Sequence, residues 1–437
     1  MHHFRYEADR LHCEGVALDQ ITAQTGSPVY IYSASTFRDH FRKLDHAMHP
    51  VDHLICYAVK ANSNLAVLGL LAAEGSGFDI VSGGELFRVL QAGCDPGRVT
   101  FAGVGKTTEE IEYALRSGIY SFNVESEAEL QHIDEVAGRL GLCAPIAVRV
   151  NPNVDADTHK YISTGKSENK FGIGLHIARE VYARAAARPN LKMRGLQMHI
   201  GSQITKPGPF AEAVKKVAPL AAELRDAYGI KFFSIGGGMG IVYDSSLASG
   251  SKQWWTERAE ALPMQVADYA AAVLPTLEPL GLRILLEPGR FIAGNAGILV
   301  TAVQYLKRTP AKTFAIVDAG MNDLIRPALY ESFHEIITVR RPDADAVERV
   351  DVVGPVCESG DFFAQDRDLP ALRRGDLLAL MSAGAYGFVM ASNYNSRPLP
   401  AEVLVEGDAF RVVRERQTMQ DLVKGEATYG KVSVSHA

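Results

Sequence analysis

Apolar runs alternate with amphipathic stretches through the first two thirds of the chain. Eight short runs are typical of buried strands, because their apolar residues continue on both faces. These runs are His53–Ala58, Phe78–Val81, Val99–Ala102, Ile119–Asn123, Ile146–Val150, Leu196–His199, Phe232–Ile235 and Arg283–Leu286. The stretches between them carry apolar residues at helical spacing and predict the helices Leu65–Glu74, Gly84–Ala92, Thr108–Ser117, Glu127–Gly138, Glu212–Tyr228 and Met264–Glu278.

This alternation predicts an α/β fold, a parallel sheet with crossover helices. Eight strand–helix units in roughly 250 residues match the size of a closed (β/α)8 TIM-type barrel. The alternative is a doubly wound open sheet, which lacks its usual glycine fingerprint after the first strand. Between the seventh and eighth strands, Ser245–Trp255 is an insertion that we interpret as a surface excursion or a lid.

After about residue 290 the pattern changes to strand-like runs among turns, with few helices. The runs are Gly297–Leu306, Thr313–Val317, Ile336–Arg340, Asp376–Met381 and Ala401–Val405. A chain of 437 residues is longer than one core usually supports. We therefore expect two domains, a barrel over residues 34–290 and a mainly β C-terminal domain over residues 291–437 that residues 1–33 complete.

Composition narrows the class of protein. A net charge of −6 argues against nucleic acid or an anionic membrane as the partner. No apolar run approaches the roughly 20 residues of a membrane helix, and the N-terminus lacks the order of a signal peptide. The five scattered cysteines contain no C-x-x-C and favour neither a zinc site nor a disulfide framework. We expect no metal and a cytoplasmic location.

Candidate chemistry lies where the predicted strands end, since the active sites of such barrels form at the C-terminal ends of the strands. Lys60 closes the first strand; by itself it is no more than the first solvated residue. A lysine forms a Schiff base when burial or a nearby cation lowers its pKa. Gly103–Thr108 is similar to the end of a nucleotide-binding P-loop, but Thr100 occupies the place of the required glycine.

The other strand ends supply complementary groups. The backbone of Gly236–Gly240 suits a phosphate, and Ser202 and Arg290 can donate to the same phosphate. Glu287 can keep a ring nitrogen protonated, and His199 offers a flat ring for stacking. Together with Lys60, these groups predict a site for pyridoxal 5′-phosphate (PLP).

Six motifs extend this prediction to a family. Tyr57–Asn62, Ser82–Glu85, Lys170–Gly172, His199–Gln203, Gly236–Gly240 and Glu287–Arg290 resemble the alanine-racemase-like, fold-type III PLP-dependent decarboxylases. Arg326–Tyr330, Gly354–Asp361 and Ala385–Gly387 are similar to the diaminopimelate decarboxylase branch. The resemblance covers nearly the whole chain in order.

The resemblance implies a role for each matching residue. Lys60 and Cys357 would be catalytic, and Cys357 would come from the neighbouring subunit of a homodimer with shared active sites. The implied cofactor-binding residues are Lys60, His199, Ser202, Gly237, Gly238, Glu287, Arg290 and Tyr386. The implied substrate-binding residues are Arg290, Arg326, Tyr330, Glu358 and Tyr386.

The resemblance also implies a reaction, the decarboxylation of meso-2,6-diaminoheptanedioate to L-lysine and CO2 in lysine biosynthesis. A glutamate facing the ring nitrogen keeps that nitrogen protonated, which favours decarboxylation over racemisation. Two alternatives stay open here. One is a decarboxylase of D-lysine, D-ornithine or another basic amino acid, and the other is a non-catalytic PLP-binding regulatory homologue.

Overall fold

The structure is a computed structural model that describes residues 1–155, 170–257, 263–341 and 346–428. The strands of the described residues are β1 (Phe4–Glu7), β2 (Arg10–Cys13), β3 (Val16–Ala17), β4 (Val29–Ser33), β5 (His53–Ala58), β6 (Gly77–Ile80), β7 (Val99–Phe101), β8 (Ser121–Val124), β9 (Ala144–Asn151), β10 (Ile173–Gly174), β11 (Leu191–Met198), β12 (Phe232–Ser234), β13 (Arg283–Leu286), β14 (Gly297–Arg308), β15 (Thr313–Val317), β16 (Ile336–Thr338), β17 (Val347–Val353), β18 (Phe362–Pro370), β19 (Leu377–Leu380), β20 (Ala401–Glu406) and β21 (Ala409–Arg414).

The α-helices of the same residues are α1 (Leu18–Thr25), α2 (Ala34–Ala47), α3 (Leu65–Ala73), α4 (Gly83–Gln91), α5 (Thr108–Ser117), α6 (Glu127–Leu140), α7 (Ala178–Ala186), α8 (Gly208–Tyr228), α9 (Lys252–Glu257), α10 (Val266–Leu277), α11 (Arg290–Ala293), α12 (Arg326–Tyr330) and α13 (Met419–Leu422). Their ends carry ordinary capping signals. For example, α5 begins with a capping box between Thr107 and Glu110 and ends at Gly118 in the left-handed conformation.

Eight parallel strands close into a barrel. The order is β5-β6-β7-β8-β9-β11-β12-β13, and pairing of β13 with β5 closes the ring. In this closing register Ile284 lies beside His53 and Leu286 beside Ile55. The two-residue β10 pairs in parallel with Val150 and Asn151, the last two residues of β9. The predicted (β/α)8 barrel is confirmed, and each of its strands overlaps a predicted apolar run.

A second sheet follows the barrel in sequence. Its order is β18-β17-β15-β14-β4-β20-β21, with β19 and β16 paired beside β14. Strand β4 lies between β14 and β20, so the N-terminal segment contributes a central strand to this sheet. The prediction of a mainly β region after the barrel is confirmed; residues 342–345 and 429–437 of the expected second domain lie outside the described residues.

Contacts between the two sheets bring loops of the second sheet to the mouth of the barrel. The backbone N–H of Tyr386 donates to the carbonyl of Ala61 at 2.8 Å. The side chain of Asn62 donates to the carbonyl of Gly384 at 3.2 Å. The turn after β5 that contains Lys60 is therefore held directly against the loop after β19.

The Ser245–Trp255 insertion packs against the N-terminus and the second sheet. The carbonyl of Ser246 bonds to His2 at 2.8 Å, and its hydroxyl bonds to Ser382 at 2.6 Å. Trp254 is buried. Among the described residues, no helix combines the length and the apolar character needed to cross a membrane.

Candidate active site

A cavity of about 210 Å³ opens where the barrel strands end. Its walls combine strand-end residues of the barrel with residues of the second sheet and its loops. The lining residues are Lys60, Asp79, Ala102, Arg149, Gln197, His199, Ser202, Gly238, Glu287, Gly289, Arg290, Arg326, Tyr330, Tyr386 and Met390. The structure thus brings together nine of the residues expected from the sequence: Lys60, His199, Ser202, Gly238, Glu287, Arg290, Arg326, Tyr330 and Tyr386.

Lys60 lies in a single helical turn directly after β5 and keeps 43% of its side chain exposed. Its Nζ donates to Asp79 Oδ2 at 3.1 Å. Burial is the largest single influence and lowers the pKa of Lys60, but Asp79, Tyr386 and Glu287 together outweigh it and raise that pKa above its ordinary value. The sequence argument named burial or a nearby cation as the condition that activates a lysine, and it did not include Asp79, whose charge acts in the opposite direction.

Glu287 lies at the end of β13, among donors from three other barrel strands. Ser234 Oγ donates to its Oε1 at 2.7 Å and Asn123 Nδ2 to the same oxygen at 3.3 Å, while Gln197 Nε2 donates to Oε2 at 3.0 Å. Burial, reinforced by the negative charge of Asp79, raises the pKa of Glu287 to about 7. The carboxyl is fixed in orientation and exchanges a proton near neutral pH.

His199 is held as a neutral ring beside the glycine loop. The backbone N–H of Gly237 donates to His199 Nδ1 at 3.2 Å. Burial, with the charges of Arg149 and Lys60, lowers the pKa of His199 well below its ordinary value. Gly237 itself does not line the cavity. A Cβ on Gly237 would lie 2.1 Å from the carbonyl oxygen of Glu287, and Gly238 has a φ of +109°, so this close loop requires glycine.

Two buried guanidinium groups face the cavity without a carboxylate partner among the described residues. Arg290 donates to Ser202 Oγ at 3.1 Å and lies 4.9 Å from the ring centre of Tyr386. Arg326 donates to Ser332 Oγ at 3.3 Å and to His334 Nε2 at 3.4 Å. Burial, with the charge of Arg290, lowers the pKa of Arg326. Cations desolvated in this way favour an anionic ligand.

Arg149 is held in place by a carboxylate behind the cavity. Its Nη1 lies 3.1 Å from both oxygens of Glu125, and its guanidinium lies 4.9 Å from the ring centre of Phe171. The same carboxylate accepts from the backbone N–H groups of Gly103 and Gly172. Glu125 thus ties three strand-end loops to Arg149.

Tyr386 reaches the cavity from a strained loop. Its φ is +57°, a left-handed conformation that is rare for a bulky residue. Such strain persists where the surrounding structure imposes it, and here the bond from its N–H to Ala61 does so.

Cys357 and Glu358 do not line the cavity of their own chain. Both are exposed. The N–H of Cys357 donates to Asn395 Oδ1 at 3.3 Å, and Glu358 accepts from the hydroxyl of Tyr394 at 2.9 Å. The region around them exposes the aromatic ring of Tyr394.

Sequence reasoning missed Asp79, Gln197 and Tyr243. Asp79 and Gln197 lie inside apolar strands β6 and β11, and a buried polar residue near the end of a barrel strand was a usable signal. Tyr243 accepts hydrogen bonds from both Arg290 and Arg326. No local pattern pointed to it.

The chemistry of these residues fits PLP. The cavity offers one lysine amine, a glycine loop beside Ser202 and Arg290 for a phosphate, and an oriented carboxyl for a ring nitrogen. Asp79 Oδ1 and Gln197 Oε1 are buried and have no hydrogen-bond partner within the described residues. Such atoms are costly to leave unpaired and indicate a polar ligand.

Comparison with known proteins identifies the same chemistry. Residues 34–294 match the model of the pyridoxal-dependent decarboxylase, pyridoxal binding domain. The chain is 50% identical to the diaminopimelate decarboxylase of Pseudomonas aeruginosa, over 97% of this chain and 98% of that protein. It is also 50% identical to that of Vibrio cholerae, with the same coverage.

Solved structures that are similar to this chain belong to the same family as its sequence relatives. The diaminopimelate decarboxylase of Helicobacter pylori complexed with L-lysine is 43% identical, with a TM-score of 0.86 over 93% of this chain and 98% of that chain. The diaminopimelate decarboxylase of M. jannaschii in co-complex with L-lysine is 35% identical, with a TM-score of 0.88 over 97% of this chain and 98% of that chain. The cofactor of this chain is PLP, and the chain belongs to the diaminopimelate decarboxylase family of PLP-dependent carboxy-lyases.

Proposed function

We propose that the chain removes CO2 from the D-configured end of meso-2,6-diaminoheptanedioate and releases L-lysine, the last step of lysine biosynthesis. One observation carries this choice of substrate. Arg290 and Arg326 are buried in the same cavity as Lys60 and lack a carboxylate partner within the described residues. Diaminoheptanedioate keeps one carboxylate after the other is lost, whereas D-lysine and D-ornithine keep none for these cations.

The chemistry that PLP supplies when bound is an electron-accepting ring for the electron pair left when CO2 departs. Lys60 would hold the cofactor covalently, and the glycine loop with Ser202 and Arg290 would hold its phosphate. Glu287 would keep a proton at the ring nitrogen; the three neutral donors that orient its carboxyl and favour the ionised form support this role. Neutral His199 would offer a flat ring beside the cofactor.

We also propose that Cys357 and Glu358 reach the cavity from a second copy of the chain. Both are exposed and absent from the cavity of their own chain. Leu329 and Phe333, which flank cavity residue Tyr330, are 46% and 41% exposed and offer apolar surface for such a contact. In the homodimer Cys357 donates the proton that replaces CO2, since a thiol carries a proton that it can give to a carbanion. Glu358 binds the distal ammonium.

Two further expectations from the sequence are also proposals. The domain boundaries are residues 34–290 and residues 291–437 with 1–33, which is supported by the place of β4 in the second sheet. The five cysteines are free, which supports a reducing compartment such as the cytoplasm.

The test measures CO2 release by the purified holoenzyme from meso-diaminoheptanedioate, D-lysine, D-ornithine and L-ornithine. We expect turnover of the first at least a hundredfold above the others, because a missing charge partner costs several kcal/mol, on the order of 2–5. Comparable or faster release from D-lysine or D-ornithine contradicts the proposed substrate.

The site itself is tested by Lys60→Ala. We expect this variant to lose the visible absorbance of protein-bound PLP and all turnover, since Lys60 is the lysine among the described residues that line the cavity. The control is Lys192→Ala, which changes an exposed lysine at the opposite end of strand β11. Unchanged visible absorbance in Lys60→Ala rules out the assignment of the cofactor lysine.

A further inference from the structure

Tyr243 joins the two guanidinium groups of the cavity through one oxygen. Arg290 Nη1 donates to its hydroxyl oxygen at 2.5 Å, and Arg326 Nη2 donates to the same atom at 3.2 Å. The two guanidinium carbons lie 5.9 and 5.4 Å from the centre of its ring. Two like charges thus share one neutral acceptor.

The phenol is itself held firmly. Its ring packs edge-on against His334, at 5.4 Å between ring centres and 82° between planes. Burial, with the charge of Arg326, lowers the pKa of His334 to about 3, so the ring is neutral. His334 Nδ1 lies 2.8 Å from the carbonyl of Met381, which leaves Nε2 to accept from Arg326. Tyr243 and Arg326 therefore have a common support.

Tyr243 also lines a second cavity of about 200 Å³. This cavity shares Arg290, Arg326 and Tyr330 with the main one. A tyrosine hydroxyl has two acceptor positions and one proton. When both acceptor positions are used by the arginines, its proton is free for an anion placed between the guanidiniums. Without the shared oxygen, two buried cations repel each other and separate.

We propose that Tyr243 is a positioning residue that holds Arg290 and Arg326 at the separation needed to bind the substrate carboxylate that is retained. This inference rests on the proposed function, because it takes the retained carboxylate of diaminoheptanedioate as the anion. Tyr243 sets the affinity for that carboxylate and does not act on the bond to CO2. The lowered pKa of Tyr243, where both arginines outweigh burial, agrees with this arrangement.

The test uses the holoenzyme as wild type, Tyr243→Phe and Ser332→Ala. Phenylalanine keeps the ring against His334 and removes only the shared oxygen. Ser332→Ala is the matched control, since its hydroxyl bonds to Arg326 alone of the two arginines. The probes are meso-diaminoheptanedioate for kinetics, and L-lysine and 1,5-diaminopentane for binding. The two binding probes differ by the retained carboxylate.

For Tyr243→Phe we expect KM and the Kd of L-lysine to rise about tenfold or more, the strength of a charge-assisted hydrogen bond. We expect kcat within about threefold of wild type, unchanged PLP absorbance and an unchanged Kd of 1,5-diaminopentane. Ser332→Ala should raise KM by less than about threefold, because Tyr243 and His334 still hold Arg326. KM and L-lysine affinity within about twofold of wild type overturn the proposal. So does equal weakening of both binding probes, which indicates general distortion.

A comparison of Arg326→Gln with the double variant Arg326→Gln/Tyr243→Phe gives a second test, which does not use the phenylalanine variant alone. If Tyr243 acts through Arg326, adding Tyr243→Phe to Arg326→Gln should raise KM by much less than tenfold; additive effects overturn the proposal. If the wild-type protein releases no CO2 from diaminoheptanedioate, that result contradicts the proposed function and not the role of Tyr243. The comparison of L-lysine with 1,5-diaminopentane still reports on Tyr243 in that case.

Discussion

The surroundings of the buried Glu287 carboxyl shift its pKa in opposite directions. Hydrogen bonds from Ser234, Asn123 and Gln197 favour its ionised form, whereas burial and the charge of Asp79 favour the protonated form. Burial and the charge of Asp79 have the larger effect, so the pKa of Glu287 rises from 4.5 to about 7. Because the folded state holds a proton that the unfolded chain releases above pH 4.5, Glu287 favours folding most at low pH. That contribution is lost as pH rises through 7.

Glu287→Gln should remove this pH dependence in the cofactor-free protein. Glutamine stays neutral, and Gln197 can turn its amide so that its unpaired Oε1 accepts from the new side chain. Between pH 5 and pH 8 we expect wild type to lose about 1–3 kcal/mol of unfolding free energy relative to the variant. Denaturant unfolding at both pH values and one protein concentration measures this. Glu278→Gln, at an exposed position, should follow wild type; parallel pH profiles for Glu287→Gln and wild type contradict the assignment.

Individual site residues were predictable where their place on a strand was informative. Lys60 and Glu287 end apolar runs, so a barrel brings them to one mouth. Tyr243 depends on Arg326, which lies 83 positions away. Asp79, which helps to raise the pKa of Lys60, lies inside the neighbouring strand β6. Contacts between residues so far apart in the sequence follow from the register of the strands and the path of the loops, which local sequence does not specify.

At the scale of elements, a buried ion pair and its hydrogen bonds join the loop after β7 to strand β8 and helix α6. Lys106 Nζ donates to Glu129 at 2.5 Å, to the carbonyl of Gly103 at 2.8 Å and to that of Asn123 at 3.0 Å. Its side chain is fully buried. Lys106 belongs to the segment that is similar to a P-loop, and its contacts in the structure are structural ones.

Lys106→Met should therefore destabilise the protein by about 3–5 kcal/mol, because it leaves Glu129 buried without its cation. Adding Glu129→Gln should recover part of that loss, since the uncompensated charge is removed. Denaturant unfolding of both single variants and of the double variant measures the coupling. If the double variant is no more stable than Lys106→Met, the ion pair does not explain the cost.

The elements themselves were predictable to different degrees. Barrel strands are apolar on both faces, so their runs were visible before the fold was known. Strands β17 and β18 were not predicted. Charged residues interrupt both, and much of each is exposed or half-buried. Their mutual pairing, from Val347 beside Pro370 to Val353 beside Phe362, defines them more than their own pattern does.

At the scale of the whole molecule, one chain builds most of a site. The barrel supplies Lys60 and Glu287, and the second sheet supplies Tyr386. The motif residues Cys357 and Glu358 stay exposed and away from the cavity of their own chain. A homodimer in which each chain completes the site of the other accounts for both facts.

Mixing inactive subunits tests this arrangement. Lys60→Ala and Cys357→Ala each remove one contribution to a shared site, and each homodimer should be nearly inactive. After exchange at equal amounts, half of the dimers are mixed, and one of the two sites in each mixed dimer has both residues intact. We therefore expect about a quarter of wild-type turnover, from random pairing in a closed dimer.

The matched control mixes Lys60→Ala with Glu287→Gln, two changes within the cavity of a single chain. No pairing of these subunits gives a site with both residues intact, so turnover should equal the mean of the two parents and not exceed the more active one. Differently tagged subunits, purified on both tags in turn, establish that mixed dimers have formed in each experiment. Recovery in both mixtures would indicate that turnover needs less than a complete site. Recovery in neither, with mixed dimers present, would show that Cys357 does not act across the interface.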